Sequence, residues 1–194
     1  MELKKNSQTF QDFNSTILKP SNEEQVQQII RYCYKNNLSI EIVGTGSKKE
    51  IGKNLQCKKI LDMSNISGIM NYKPDELYIT VKPSTPINSI QEELKKNNQY
   101  LAFEPVNFEK IFEKDSKEGT IAGALSCNFS GSRRFKVGSA RDHILGFKGY
   151  NGKGEKIKSG GTVQKNVTGY DLSKLIVGSF GTLVVLTEIT LKVL

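Results

Sequence analysis

The chain has 194 residues, 37% of them hydrophobic, and its 28 Lys and Arg outweigh 20 Asp and Glu for a net charge of +8. That length suits one large domain or two small lobes with a sizeable core, and no apolar run approaches the roughly 18 residues of a membrane span. Three scattered cysteines (Cys33, Cys57, Cys127), a single histidine and no C-x-x-C spacing argue against a zinc or other metal site and read as buried, reduced thiols of a cytosolic protein.

The opening MELKKNSQTF is not followed by an apolar h-region, so no signal peptide is expected. Pro20-Ser21-Asn22-Glu23-Glu24 starts a helix, with Ser21 as cap and Glu24 completing a capping box. Val26, Ile29, Ile30 and Cys33 share one face of it, and Asn36-Asn37 end it. Ser39 to Val43 alternates as a strand and runs into Gly44-Thr45-Gly46-Ser47. Lys59 to Met63 and Leu77 to Lys82 read as further strands. Thr85-Pro86 opens a second helix with proline at its first position and Ile87, Ile90 and Leu94 as its buried stripe.

Val106 to Glu118 is polar and poorly periodic, which predicts a loop or insertion. Thr120 to Cys127 reads as a short helix entered from the cluster Gly119-Thr-Ile-Ala-Gly123. His143 to Tyr150 and Lys156 to Ser159 form a hairpin across Asn151-Gly152-Lys153-Gly154. Gly160-Gly161 and Gly178-Ser-Phe-Gly181-Thr182 bracket a short helix carrying Leu172, Leu175 and Ile176, for which Asp171 is a good N-cap. Leu183 to Val193 closes the chain as a long strand. The order is mixed α+β, with no internal repeat.

Three glycine clusters in one chain point to an extended ligand held largely by main chain. Gly44-Thr45-Gly46-Ser47 follows a strand, yet it lacks the third glycine of G-x-G-x-x-G and the Walker pattern; a tight strand-ending turn is the other reading. Gly119 to Gly123 opens a helix, so several unpaired N–H groups would converge on one point and hold a diphosphate. Two such loops folded against each other would grip it from both sides; close helix packing on a sheet is the alternative. Gly131 to Lys165 carries Arg133, Arg134, Lys136, Arg141, Lys148, Lys153, Lys156, Lys158 and Lys165 against only Asp142 and Glu155, a surface suited to phosphates, nucleic acid, anionic substrates or an acidic partner, a solvated lysine-rich face being the other reading. No nucleic-acid motif or stacking platform accompanies it. Arg141-Asp142 is either an ion pair or a ligand contact, and His143 has no evident orienting carboxylate.

Taken in order, these residues resemble a known family. Leu18-Lys19-Pro20, Val43-Gly44-Thr45-Gly46-Ser47, Ile60-Leu61-Asp62-Met63-Ser64, Val81-Lys82-Pro83-Ser84-Thr85-Pro86, Leu101-Ala102-Phe103-Glu104-Pro105, Gly119-Thr120-Ile121-Ala122-Gly123, Ser130-Gly131-Ser132-Arg133-Arg134, Gly138-Ser139-Ala140-Arg141-Asp142 and the Lys165-to-Val193 stretch carry the resemblance. Together they resemble the FAD-binding PCMH-type domain of the vanillyl-alcohol-oxidase and p-cresol-methylhydroxylase superfamily, within it the FAD-binding subunits of bacterial glycolate oxidases.

The resemblance implies a two-lobed α+β domain over residues 1–194, lobe one about 15–85 and lobe two about 86–194, with noncovalent FAD between them. It places Val43, Gly44, Thr45, Gly46, Ser47 and Lys48 around the diphosphate, with Gly119, Thr120, Ile121 and Gly123 facing it. Pro83, Ser84 and Thr85 would lie beside the cofactor. Ser126, Asn128, Ser130 and Gly131 would approach the ribityl chain or flavin ring, and Thr182 and Val184 the adenine end, with Arg141 a further cofactor contact. Ala122 stands where the family commonly has glycine, and the first loop has no histidine for covalent attachment.

The family's C-terminal cap and substrate domain is not expected in this chain, and no catalytic base is identified. The implied function is an FAD-binding oxidoreductase component of a glycolate or other 2-hydroxy-acid oxidase, with hydride passing to flavin N5. Its implied partners are a homologous flavoprotein and an iron–sulfur subunit. It would be cytoplasmic, with membrane association only through partners. The alternative is a non-catalytic FAD-binding or assembly module.

Overall fold

A computed structural model describes residues 9–49, 51, 53, 55–106, 118–161 and 170–194. The expected loop at Val106 to Glu118 lies almost wholly outside the described residues, as do Lys165 and its neighbours.

Two sheets organise the chain. The smaller is parallel, in the order β1–β3–β2, where β1 is Ile17–Leu18, β2 is Ile40–Val43 and β3 is Lys59–Asp62. Helix α1, Glu23–Lys35, packs on it by burying Val26, Ile29, Ile30 and Cys33, the stripe expected from the 3.6-residue period. Burying such side chains is worth about 1.5–3 kcal/mol each. The cap is displaced by one residue from the expected Ser21. Asn22 accepts from the Gln25 N–H at 2.9 Å, and the Gln25 side chain in turn accepts from the Ser21 N–H at 2.8 Å.

The larger sheet is antiparallel, in the order β4–β5–β8–β6–β7, with β4 Ile69–Lys73, β5 Tyr78–Val81, β6 Ile144–Tyr150, β7 Lys156–Gly160 and β8 Val185–Lys192. Strand β4 has no counterpart in the sequence reading. It is a sheet edge whose Ile69, Met70 and Asn71 are exposed, so burial imposes no alternation on it. Because β4 and β5 join this sheet, the changeover between sheets falls between Asp62 and Ile69.

Helix α2, Ile87–Lys95, has Pro86 as its N-cap rather than as its first helical residue. Helix α3, Ile121–Cys127, is capped by Thr120. Two single-turn helices, α4 (Arg134–Val137) and α5 (Ala140–His143), precede β6, and α6 (Leu172–Ile176) is capped by Asp171 as expected. One core gathers Ile79, Val81, Ile90, Leu94, Leu125, Ile189 and Leu191. A second gathers Leu18, Val26, Ile29, Leu61 and Met63, and takes in Tyr150 and Val185 from the larger sheet.

The two halves are joined there. The Glu23 Oε1 accepts from the Tyr150 hydroxyl at 3.3 Å and the Thr187 hydroxyl at 3.3 Å, and pairs with Lys156 at 3.0 Å. Burial, then the Glu23 carboxylate, push the Tyr150 hydroxyl up to about 12. The Gln27 amide adds a bond to the Gly154 carbonyl at 2.9 Å. Gly160 pairs with Gly146 across the hairpin at φ +69, and a Cβ there would run into the Leu145 carbonyl, so this glycine serves the sheet. The expectation that all three cysteines are buried holds only for Cys33; Cys57 and Cys127 are half-buried.

Candidate functional site

The two glycine loops meet. Strand β2 ends at Val43, whose carbonyl accepts from the Met63 N–H at 2.7 Å, and the chain turns away from the sheet at Gly44. A Cβ on Gly44 would stand 3.0 Å from the Thr120 Oγ1 and 3.2 Å from its Cγ2, so glycine is what lets the loops touch. The Thr45 hydroxyl donates to the Glu118 carbonyl at 2.6 Å and fastens the first loop to the segment leading into the second. Gly46 has φ +83, and its carbonyl accepts from the Lys49 N–H at 3.1 Å, closing the turn.

Between them the backbone donors differ. Among the described residues, the N–H groups of Thr45, Gly46 and Ser47 have no acceptor. In the second loop the Ile121 N–H donates to the Thr85 carbonyl at 3.1 Å, the Ala122 N–H to the Pro83 carbonyl at 3.0 Å, and the Gly123 N–H to the Thr120 Oγ1 at 3.3 Å. The expectation of unpaired N–H groups at the start of this helix is therefore corrected at these three positions. Thr85 also fastens the turn beneath: its hydroxyl donates toward the Lys82 carbonyl at 2.7 Å and accepts from the Gly68 N–H at 3.0 Å. Ser84, Thr85 and Thr120 are all buried, and the Ile87 N–H reaches the Gly119 carbonyl at 3.0 Å. Pro83 to Thr85 thus back the second loop rather than lining open space.

Lys48 lies between the loops, its Nζ donating to the Ser47 Oγ at 3.3 Å. A Cβ on Gly119 or on Gly123 would each stand 3.3 Å from that Nζ. Burial pulls the ammonium below the ordinary lysine range, with Cys127 opposing. Burial likewise raises the Cys127 thiol, and Lys48 opposes it.

The remaining candidates gather around α5. The Asn128 Oδ1 accepts from the Arg141 N–H at 3.2 Å and the Ser130 Oγ from the Ala140 N–H at 2.9 Å, so both side chains anchor this turn. The Gly131 N–H donates to the Phe103 carbonyl at 3.0 Å, and the Ser126 carbonyl accepts from the Phe180 N–H at 2.9 Å. Asp142 is a capping residue, not the partner of Arg141: its Oδ2 accepts from the Ser139 N–H at 2.8 Å and hydroxyl at 2.9 Å. These bonds, the backbone one first, hold its carboxyl below the usual range. The S-x-x-D spacing of a capping box was there to be read.

His143 is a buried residue closing α5. Its Nε2–H donates to the Val137 carbonyl at 2.9 Å, its ring lies 5.6 Å from that of Phe103, and Nδ1 has no partner among the described residues. Thr182 and Val184 lie in the turn entering β8; the Thr182 hydroxyl donates to the Ser179 carbonyl at 2.7 Å. There a cleft of about 410 Å³ opens between Ile30, Leu38, Ile40 and Ile42 on one side and Thr182 to Val185 on the other.

Several cations of the basic segment are paired within the chain. Lys148 meets Glu188 at 2.7 Å and Lys156 meets Glu23 at 3.0 Å, while Arg133 lies 4.0 Å from Glu104 and over the Tyr100 ring. Arg141 is exposed. Among the described residues no group of three or more His, Cys, Asp or Glu stands close enough to hold a metal, and no helix is long and apolar enough to cross a membrane.

The first loop fits the diphosphate of a dinucleotide on its donor set: three consecutive amides without acceptors among the described residues, beside one lysine ammonium. Comparison with known proteins agrees. Residues 15–160 match the model of the FAD binding domain family. The chain is 40% identical over 183 residues to the glycolate oxidase subunit GlcE of Escherichia coli K12, covering 94% of this chain and 47% of that protein. It is 26% identical to the glycolate oxidase subunit GlcD of Bacillus subtilis, covering 94% of this chain and 37% of that one. It is also 26% identical to a D-lactate dehydrogenase of Anaerostipes hadrus, covering 92% and 36%. The chain therefore spans about half or less of the length of these relatives. Among solved structures, alkyldihydroxyacetonephosphate synthase superposes with a TM-score of 0.73 at 21% identity, over 92% of this chain and 31% of that one, a likeness of fold.

Proposed function

The chain belongs to the FAD binding domain family, and from that premise we propose that it is the FAD-binding part of an oxidoreductase acting on glycolate or a related 2-hydroxy acid. The observation that carries the reading is the open row of amides at Thr45 to Ser47, set against Lys48 and closed over by Thr120. The 40% identity to GlcE supports the substrate class. When bound, FAD supplies the two-electron redox chemistry; the chain binds, orients and shields it.

In this reading Val43 to Lys48 hold the diphosphate, with Gly119, Thr120, Ile121 and Gly123 forming the facing wall and Pro83 to Thr85 stiffening it. The cleft beside Thr182 and Val184 takes the adenine end, where apolar side chains cover a flat ring. Ser126, Asn128, Ser130, Gly131 and Arg141 lie toward the ribityl chain and flavin. Asn128 and Ser130 each retain a donor, the carboxamide N–H and the hydroxyl proton, after anchoring α5. Residues 1–194 form one FAD-binding unit of two lobes in this reading. Attachment is noncovalent in this reading, and the first loop offers no histidine for a covalent link. The partners in this reading are a homologous flavoprotein and an iron–sulfur subunit, in the cytoplasm or at a membrane through those partners.

The test begins with the visible spectrum of the purified chain. Flavin bands that pass into the supernatant on acid precipitation are expected. Glycolate-dependent reduction of a dye is expected once the partner subunits are added. A colourless chain that takes up no added FAD would defeat the binding reading. A yellow chain inactive in every combination would leave an FAD-binding or assembly module.

A further inference from the structure

We infer that the single-turn helix α4, Arg134–Val137, is a docking knuckle for a protein partner whose surface sets carboxylates around an apolar recess. The inference deepens the partner reading above and rests on it, and it concerns a surface that the cofactor reading leaves unused. Phe135 stands wholly in water, 103% exposed, and Arg134 and Lys136 on either side of it are exposed as well. No residue of α4 is buried. Lys148 and Lys156 meet carboxylates of this chain, whereas Arg134 and Lys136 have no ion pair among the described residues.

A segment that buries nothing is ordinarily loose, yet this one is fixed from behind. The Val137 N–H donates to the Arg133 carbonyl at 3.0 Å and the Gly138 N–H to the Arg134 carbonyl at 3.0 Å. His143, buried and without a part in the cofactor reading, holds the Val137 carbonyl at 2.9 Å. The Glu104 Oε2 accepts from the Arg133 N–H at 3.1 Å. Glu104 does so from a left-handed backbone at φ +50, and a Cβ on Gly131 would stand 2.6 Å from that oxygen. Such a conformation persists only where its surroundings impose it. Arg133 lies over the Tyr100 ring, 5.5 Å from its centroid. The backbone that carries the phenyl ring and its two cations is thus ordered before any partner arrives, which lowers the cost of binding.

An aromatic ring seated in a recess and rimmed by charge pairs is the form of an interface hot spot, and the cations set the sign of the partner. An anionic bilayer fits less well. One ring inserts little apolar area, and the carboxylates of Glu104 and Asp142 stand at the two ends of α4, against Arg133 and Gly138.

The experiment measures binding of the purified chain to the homologous flavoprotein and to the iron–sulfur subunit, each immobilised in turn. Phe135→Ala is expected to weaken binding to one of them by about tenfold or more, and Arg134→Glu with Lys136→Glu by at least as much. Binding of the unaltered chain is expected to fall with added salt more steeply than that of a variant carrying Arg134→Gln and Lys136→Gln. FAD affinity and Tm are expected to stay unchanged throughout, because α4 buries no side chain. Unchanged partner affinity in Phe135→Ala and in the charge-reversed variant would overturn the inference while the partner reading stands. Weakened binding that tracks a fall in Tm would assign α4 to the fold and overturn it as well. Attachment to vesicles of phosphatidylserine and phosphatidylcholine instead, lost in Phe135→Ala, would overturn it in favour of a membrane surface. An unaltered chain that binds neither subunit overturns both readings.

Discussion

The loop at Gly44 to Lys48 and the loop at Gly119 to Gly123 are alike in composition and differ in how many of their amides have acceptors. The first leaves the edge of a small parallel sheet, and three of its amides have no acceptor among the described residues. The second is zipped to Pro83 to Ile87 on one side and capped by Thr120 on the other. Glycine therefore does different work in each. In the first it lets the main chain turn and approach Thr120, and in the second it leaves room for a neighbour's side chain. A phosphate-binding loop is recognised by what its donors lack, and that is a property of the surrounding fold as much as of the glycines.

The largest effect on this pair is expected from Gly44→Val. Its side chain would be driven into Thr120, already 3.0 Å from the Cβ position, and would part the loops. Overpacking of this kind costs about 1–3 kcal/mol. Thermal unfolding should show a clear fall in Tm, and FAD affinity should drop by about tenfold or more. Retention of both would mean that the loops do not act together.

Thr85→Val sharpens the contrast from the other side. It removes a buried hydroxyl that serves the Lys82 carbonyl and the Gly68 N–H, at a cost of about 1–3 kcal/mol in stability. FAD affinity, measured where the variant is fully folded, should stay within about threefold. A loss as large as that of Gly44→Val would show that the support and the binding loop are one unit.

The smallest effect is expected at Asp142, which belongs to neither loop. Its folded carboxyl titrates below its unfolded value, chiefly through the Ser139 N–H. Its stabilising part is thus present above the ordinary carboxylate range and lost as pH falls through the folded value. Asp142→Asn should cost about 1 kcal/mol near neutral pH, as lost caps do, flatten the acid side of the stability curve, and leave FAD binding unchanged. Acid unfolding followed by circular dichroism reads this directly.

Much of the architecture was legible because periodicity reports burial. The stripe Val26, Ile29, Ile30 and Cys33, the turn Asn151 to Gly154 and the Asp171 cap all stand as read. The cap of α1 was missed by one residue because Ser21 and Asn22 are both good caps and local chemistry does not rank them. Strand β4 left no signal because an exposed edge imposes no alternation. His143 was placed in a strand because it abuts the apolar run of β6, whereas the Ser139–Asp142 box makes it the last residue of a helical turn.

The sequence alone determined that two glycine loops exist, where the faces of α1 and α2 turn inward and, by resemblance, which cofactor the chain accommodates; for α6 it did not, since Leu172 and Leu175 are exposed and Ser173 is buried. These depend on short-range backbone freedom and on the period of apolar residues, both of which are local. That Thr85 and Pro83 take the amides of Ile121 and Ala122 while those of Thr45 to Ser47 find no acceptor among the described residues, and that Lys48 lies against Gly119 and Gly123, were decided only by the tertiary structure. A hydrogen-bond donor is available only if nothing else reaches it, and the groups that reach it come from segments distant in the chain.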